Sequence, residues 1–188
     1  ALYDNKLSIE ACNTKLGSVF IDDRYYVTEI DVTGAFSVYG HGTLTGSGAL
    51  AAGNGCFTLN NGADLSIIGI TIDGFKEAVE GVSGTMSLRM SRVKMLNCAR
   101  AIDILSAATL SLARISRCEI SNCVIGIQIS SITSDTITIE NNYIHDLLSD
   151  VLIQNTVYAV HLAVSMSTSN MIKVDNNTIK NIINNINK

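Results

Sequence analysis

The chain repeats one nine-residue pattern five times, and this repeat limits the possible folds more than any other feature of the sequence. The copies are IIGITIDGF (67–75), MSRVKMLNC (90–98), ISRCEISNC (115–123), IENNYIHDL (139–147) and VDNNTIKNI (174–182). Successive copies start 23, 25, 24 and 35 residues apart. A period of this size is typical of proteins in which each repeat buries its apolar face by stacking on its neighbours.

Within each copy the first, fourth, sixth and ninth positions are mostly apolar, and this alternation favours strands over helices. The sixth position holds Ile72, Met95, Ile120, Ile144 and Ile179. The flanking pieces 101–104 (AIDI) and 126–129 (GIQI) alternate as well, so each repeat predicts three short strands. Since a repeat of this length has no room for a crossover helix, equivalent strands must stack in parallel. The sequence therefore predicts a parallel β-helix.

The eighth position of the repeat predicts a bend between strands. It holds residues that tolerate left-handed backbone conformations, namely Gly74, Asn97, Asn122, Asp146 and Asn181. Stacked Asn amides at this bend can hydrogen-bond from coil to coil. Cys98, Cys118 and Cys123 fall on apolar positions of the repeat, so we expect free, buried thiols in a protein that folds in a reducing cytoplasm.

Three segments follow from these patterns. In the first, 1–17, the residues Leu7, Ile9, Cys12 and Leu16 predict a helix that covers the open first coil, since an uncovered coil exposes a sheet edge. The second, 18–62, predicts irregular first coils, and the third, 63–188, regular coils. Because the last coil stops after its second strand, we expect further chain beyond Lys188 or partner subunits at that end.

Composition excludes several classes of function. With 47% hydrophobic and 16% charged residues, the 188-residue chain can form one elongated domain with a core. The net charge of −4 argues against nucleic-acid binding. The sequence contains no apolar run that predicts membrane insertion and no signal peptide. It also lacks phosphate-loop and metalloprotease motifs, so we expect neither a metal site nor a cofactor.

The predicted helix is followed by GSVFIDDRYYV (17–27), FSVYGHGTLTG (36–46) and coils of the IENNYIHDL type. This arrangement resembles the start of a pectin-lyase-like right-handed β-helix, and most of all the trimeric tailspikes of bacteriophages. In that family a strand pair of the GTVYLPPGTY kind usually follows the helix, and here Asp22, Asp23 and Arg24 stand in its place.

The resemblance implies an all-β, right-handed, single-stranded parallel β-helix that binds and degrades a bacterial surface polysaccharide during host recognition. It implies a homotrimer in the virion tail, made in the bacterial cytoplasm, and a glycoside hydrolase or lyase activity. One alternative is a non-catalytic adhesin or structural segment of a spike. Another is a secreted enzyme of the pectate-lyase or epimerase type.

Outward positions on the third strand of each coil supply the first catalytic candidates. Glu80, Asp103, Gln128 and His161 occupy these positions in successive coils. Carboxyl groups on adjacent coils lie about 4.8 Å apart, near the separation of about 5 Å in retaining glycosidases. We therefore predict Glu80 and Asp103 as acid and nucleophile, with Gln128 and His161 binding substrate. Alternatively, these four side chains are polar only because they face water.

A second acidic set lies near the longest coil, which carries roughly ten extra residues, LSDVLIQNTV (148–157). Insertions in repeat proteins tend to map to the binding face. Asp146 and Asp150 are therefore further catalytic candidates, within a set completed by Glu140, His145 and Asp175.

The basic residues form the most unusual pattern, because RMSR (89–92) stacks on RISR (114–117). Guanidinium groups bind carboxylates and phosphates in a bidentate manner. Arg89, Arg92, Arg114 and Arg117 therefore predict an acidic glycan or the acidic face of a neighbouring subunit, unless local carboxylates pair with them.

Two aromatic residues need separate interpretations. Tyr143 lies beside a predicted contact between Lys94 and Glu119 and is a candidate platform for a sugar ring. His41 lies in a GHG triplet (40–42) of the kind used by polygalacturonases, but the companion motifs are missing. We interpret that triplet as a bend.

Overall fold

The computed structural model describes residues 5, 8–12, 17–48, 55–132, 136–149, 156–164 and 171–183. Residues 8–12 form a short helix, α1, and its Ile9 packs against the core with 5% of its surface exposed. Gly17 follows with a positive φ of 65°, and its backbone N–H donates to Cys12 O at 3.0 Å. The predicted N-terminal helix is confirmed.

Twenty strands in the described residues wind into coils. The first two coils contain β1 (Ser18–Ile21), β2 (Arg24–Tyr26), β3 (Ile30–Val32), β4 (Ala35–Gly40), β5 (Thr43–Thr45) and β6 (Phe57–Leu59). The next two contain β7 (Asp64–Ile68), β8 (Thr71–Asp73), β9 (Glu77–Gly81), β10 (Gly84–Ser91), β11 (Lys94–Leu96) and β12 (Arg100–Ile104). The fifth contains β13 (Ala108–Ser116), β14 (Glu119–Ser121) and β15 (Ile125–Ile132). The last strands are β16 (Thr136–Glu140), β17 (Tyr143–Leu148), β18 (Tyr158–Val164), β19 (Met171–Asp175) and β20 (Thr178–Ile183).

Equivalent strands of successive coils pair in parallel and form three sheets. The first sheet runs β1-β4-β7-β10-β13-β16-β19, the second β2-β5-β8-β11-β14-β17-β20, and the third β3-β6-β9-β12-β15-β18. The register aligns the copies of the repeat, since Met95 pairs with Ile72 on one side and Ile120 on the other. The predicted fold class, a parallel β-helix, is confirmed.

The core lies between the three sheets and consists of stacked inward side chains. On the first sheet one such column contains Phe36, Leu65, Leu88, Ala113 and Ile137. Each of these has at most 1% of its surface exposed. Apolar burial of this kind is the main contribution to stability in a solenoid, because each coil covers the next.

The corner after the second sheet has the predicted left-handed backbone. Its φ angles run from 51° to 76° at Gly74, Asn97, Asn122, Asp146 and Asn181. The predicted bonds between coils are present: Asn122 Nδ2 donates to Asn97 Oδ1 at 3.3 Å, and Asn181 Nδ2 donates to Asp146 Oδ1 at 2.9 Å.

A second left-handed corner, between the first and second sheets, falls on the third position of the repeat. Here φ runs from 52° to 82° at Gly69, Arg92, Arg117, Asn141 and Asn176. The repeat pattern does not predict this corner, because Arg fills the position in two copies in place of the Gly or Asn that indicates a bend. Arg92 and Arg117 are therefore corner residues whose side chains leave the edge of the first sheet.

The cysteine positions agree with a core role. Cys98, Cys118 and Cys123 each have at most 2% of their surface exposed. Burial raises the pKa of Cys118 to about 11, so its thiol is protonated at neutral pH.

Two copies of the repeat have an asparagine at its otherwise apolar fourth position, Asn142 and Asn177. Asn142 is 2% exposed and lies inside the corner between β16 and β17. Its Oδ1 accepts from Cys118 N at 2.9 Å, and its Nδ2 donates to Ile115 O at 3.0 Å. Asn177 repeats the arrangement one coil later and accepts from Asn142 Nδ2 at 2.9 Å. These two amides satisfy backbone groups that the corner withdraws from water.

We expect Asn142→Ala to lower the free energy of unfolding by about 2–3 kcal/mol, because it leaves two buried backbone groups without partners. Urea denaturation measures the change. The matched control is Asn141→Gly at the neighbouring exposed corner, where φ is 57° and a glycine fits. Equal stability of the Asn142→Ala variant and the unmodified chain would contradict this role.

Among the described residues, no helix has the length and apolar character of a membrane span.

Candidate functional site

The predicted polar column on the outer face of the third sheet exists. The strand register places Glu80 beside Asp103, Asp103 beside Gln128, and Gln128 beside His161. The column continues toward the N-terminus through Thr58 and Asp31. One line of polar side chains therefore crosses six successive strands of the sheet.

From Thr58 to His161 this column is buried or partly buried, whereas Asp31 at its N-terminal end is exposed. Asp103 has only 2% of its surface exposed, and Glu80, Gln128 and His161 are partly buried. The connection between β5 and β6 reaches the column at Gly55, where an added Cβ would lie 3.5 Å from Cβ of Glu80. Because Asp103 does not face open solvent, its polarity needs another explanation.

A third carboxylate, Glu77, which the sequence pattern did not predict as part of the site, is fully buried at the start of β9. Arg100 lies beside it in the register and bridges two acids, with Nη1 2.9 Å from Glu77 Oε1 and 3.3 Å from Asp103 Oδ2. Lys76 Nζ lies 3.4 Å from the same Glu77 oxygen. We call Glu77, Glu80 and Asp103 the carboxyl cluster.

Several polar atoms around the carboxyl cluster are buried and, within the described part of the chain, lack a hydrogen-bond partner. They are Glu77 Oε2, Arg100 Nε, Asp103 Oδ1, Gln128 Oε1 and His161 Nδ1. Buried polar atoms normally find partners, so this concentration is typical of a site that receives water or ligand. Tyr158 stacks on His161 at 4.8 Å between ring centroids and extends the site to the last strand of the sheet.

The electrostatics of the carboxyl cluster favour proton transfer. Burial raises the pKa of all three carboxyl groups above their usual values. The charge of Glu80 raises the pKa of Glu77 further, whereas Lys76 and Arg100 oppose the rise. The pKa of Glu80 is likewise raised by Asp103 and opposed by Lys76, and Arg100 favours the ionised form of Asp103. Glu80 and Asp103 are thus both shifted toward the protonated form, and Arg100 and Lys76 oppose this shift at each of them.

These pKa shifts predict a pH dependence of stability. A carboxyl group whose pKa is raised on folding binds more protons in the folded state than in the unfolded chain. The stability it contributes is therefore lost as the pH rises from the usual pKa of the group, 4.5 for Glu80, through its pKa in the folded protein. We expect the melting temperature to rise when the pH is lowered from about 7 to about 5. At lower pH the trend reverses, because the lowered pKa values of Glu119 and Asp146 make their stabilisation disappear on acidification.

Thermal unfolding between these pH values measures the effect, and Glu80→Gln is the control. The variant lacks one titrating group of the carboxyl cluster, so its melting temperature should rise less on acidification. A rise of equal size in both proteins would show that Glu80 is not a source of the pH dependence.

The second acidic set is divided between two sheets. Glu140 and Asp175 lie on the first sheet, where Lys173 Nζ approaches them at 2.6 and 3.7 Å. Asp146 occupies a corner and accepts from His145 Nδ1 at 2.6 Å, so its pKa is lowered by His145 and then by Asn181. Asp150 lies outside the described residues. Of the described members of this set, Glu140 and Asp175 therefore lie on one sheet and Asp146 on another.

The second sheet carries a charged chain around His145. Lys94 Nζ lies 3.0 Å from Glu119 Oε2, which confirms the predicted contact, and Glu119 Oε1 lies 3.5 Å from His145 Nε2. Tyr143 is 40% exposed, but its ring stacks on His145 with 4.1 Å between centroids. One face of the candidate sugar platform is thus already occupied by protein.

The four arginines divide by partner. Arg89 and Arg114 are register neighbours, and Arg89 Nη1 contacts Asp64 Oδ1 in a close ion pair. No ion pair is found for Arg92, Arg114 or Arg117 in the described ranges. Local pairing therefore accounts for Arg89 alone.

His41 occupies the predicted bend. Its backbone N–H donates to Ile21 O at 3.0 Å, and its ring packs edge-on against Phe20 at 5.8 Å. Within the part of the chain that is described, no three His, Cys, Asp or Glu side chains are grouped to hold a metal ion.

Comparison with known proteins found no match to a protein-family model, a curated protein or a solved structure.

Proposed function

We propose that this chain is the β-helix of a bacteriophage tailspike-type protein that binds and hydrolyses a bacterial surface polysaccharide at the carboxyl cluster. The observation that carries the proposal is the register pairing of Glu80 and Asp103 on adjacent coils of a sheltered face. The proposal places the chain in a homotrimer of the virion tail, in keeping with the tailspike resemblance of its coils.

The chemistry follows from the environments of the two acids. Strand spacing of about 4.8 Å puts their carboxyl groups near the separation used by retaining glycosidases. Glu80, with its raised pKa, donates a proton to the glycosidic oxygen, while the Asp103 carboxylate attacks the anomeric carbon. Water then releases the glycosyl group from Asp103, and Glu80 accepts the water proton.

The neighbouring residues of the column would hold the sugar chain. Gln128 and His161 continue the line of Glu80 and Asp103, and each has a buried polar atom that has no partner in the described residues. Tyr158 adds an aromatic ring stacked on His161. These groups suit hydrogen bonding to hydroxyl groups and stacking on a pyranose face.

The burial of Asp103 also favours a second candidate, a non-catalytic spike segment that only binds glycan. With 2% of its surface exposed, Asp103 reaches a substrate only if neighbouring groups move. In this second function the carboxyl cluster and Arg100 would stabilise the third sheet without turnover.

A polysaccharide panel separates the two functions. The chain is incubated with acidic and neutral bacterial polysaccharides while polymer size, reducing ends and ultraviolet absorbance from unsaturated uronate are followed. A hydrolase shortens the polymer and produces reducing ends without new absorbance, whereas new absorbance indicates a lyase and overturns the proposed mechanism. Binding without any change in polymer size supports the non-catalytic segment.

A further inference from the structure

The first sheet carries a basic surface that the carboxyl cluster does not use. We call Arg89, Arg92, Arg114 and Arg117 the arginine face. Arg89 and Arg114 are register neighbours on β10 and β13, and Arg92 and Arg117 fill the corners that follow these two strands. All four residues are exposed.

The charge on this surface is not balanced by local acids. Further along the column of Arg89 and Arg114, Lys173 has its own partner in Glu140 at 2.6 Å. Asp64 pairs with Arg89, and the remaining three arginines have no ion-pair partner in the described part of the chain. Guanidinium groups on adjacent coils lie about 4.8 Å apart and repel each other unless an anion lies between them.

The two corner arginines also occupy an unfavourable backbone conformation. Arg92 and Arg117 both have φ of 56°, at a position that holds Gly69, Asn141 and Asn176 in other coils. Glycine and asparagine adopt this conformation at lower cost than arginine. Two successive coils therefore have an exposed arginine where glycine or asparagine would form the turn at lower conformational cost. Unfavourable backbone conformations of this kind are typical of functional positions.

A shallow depression of about 180 Å³ lies beside Arg89 and Arg114. Its lining includes Arg89, Arg114, Ser66, Ser91 and Ser116. Arginine forks bind carboxylates with two parallel hydrogen bonds, and serine hydroxyls can donate to the same oxygens or to sugar hydroxyls. The surface therefore offers the donors that a carboxylate-bearing sugar needs.

We propose that the arginine face binds a carboxylate-bearing polysaccharide, with Arg92, Arg114 and Arg117 holding uronate groups along successive coils. This inference rests on the proposed function for the nature of the ligand and adds its chemical class. The net charge of −4 disfavours general attraction to polyanions, so binding has to come from this local surface. The surface lies on a different sheet from the carboxyl cluster and is a separate site.

Affinity electrophoresis through gels containing polygalacturonate tests the proposal, with dextran as the neutral polymer. We expect retardation by polygalacturonate only, weakened by added salt. Arg114→Ala combined with Arg117→Ala should weaken binding at least about tenfold, since each removes a charge-assisted hydrogen bond. The matched control is Arg24→Ala, an exposed arginine on the second sheet whose side chain is 64% exposed.

A second variant protects the test from a folding artefact. Arg92→Asn combined with Arg117→Asn removes both charges but retains a residue type that other coils use at this corner. It should lose binding without a lower melting temperature. If it binds polygalacturonate as well as the unmodified chain does, the proposal is wrong.

Two further outcomes overturn the proposal. One is equal retardation in polygalacturonate and dextran. The other is salt-sensitive self-association that requires Arg114 and Arg117 while polygalacturonate does not bind, which would assign the surface to an acidic protein partner. Failure of the proposed function is distinguishable, because Glu80→Gln tests turnover at the carboxyl cluster, whereas the arginine variants test binding at the arginine face.

Discussion

Replacing Glu80 with glutamine is expected to lower polysaccharide turnover by about 10²–10⁴-fold, the usual contribution of general acid catalysis. The amide cannot supply the proton that the leaving oxygen needs, whereas its shape and position remain close to those of the acid. Asp103→Asn should cause a comparable loss, because it removes the carboxylate that acts as nucleophile in the proposed mechanism. Release of reducing ends from a polysaccharide that the unmodified chain degrades measures both effects.

The control for this experiment is Glu140→Gln, a partly buried glutamate of the first sheet that pairs with Lys173. It changes the same chemical group outside the carboxyl cluster, so turnover should be unchanged. Retained turnover in a folded Glu80→Gln variant would remove Glu80 from the acid role. If binding also persists in that variant while turnover is lost, the site separates recognition from chemistry.

The fold could be predicted from the sequence because each coil of a solenoid has the same pattern of buried and exposed positions. Every inward position must match the core of the next coil, so alternation and period appear in each copy. The Asn-rich corner could be predicted as well, since residues such as Asn97 and Asn122 are typical of positions with a positive φ. The other corner could not be predicted, because Arg92 and Arg117 adopt the same backbone conformation and arginine, unlike glycine or asparagine, does not indicate a positive φ.

The candidate site was predicted only in part, for a physical reason. The column of Glu80 and Asp103 follows from strand alternation, which a sequence displays directly. Its burial depends on the chain around it, including the connection near Gly55, and no local pattern encodes that packing. Glu77 was missed because it lies next to a corner, where alternation no longer tells which side chains meet. Its partner Arg100 becomes apparent only from the register.

Arg100→Leu should be among the most destabilising substitutions, lowering the free energy of unfolding by about 3–5 kcal/mol at neutral pH. The guanidinium lies 2.9 Å from Glu77 and 3.3 Å from Asp103, and both acids are nearly inaccessible to water. Without the guanidinium, the two buried carboxylates are left with Lys76 as their neighbouring cation in the described residues. Urea denaturation at pH 7 and at pH 5 measures the loss.

The loss should be smaller at pH 5, because burial raises the pKa of Glu77 and Asp103 and their protonated forms need no cation. The double variant Glu77→Leu with Arg100→Leu should recover part of the stability, since apolar replacement of a buried ion pair is often neutral. Recovery stays partial, because Asp103 still lacks the guanidinium of Arg100.

Lys94→Leu, which breaks an exposed pair with Glu119, is the control and should cost about 0.2–1 kcal/mol. Two results would show that Arg100 does not neutralise the carboxyl cluster. One is an Arg100→Leu variant that loses no more stability than Lys94→Leu, and the other is a double variant that is no more stable than Arg100→Leu.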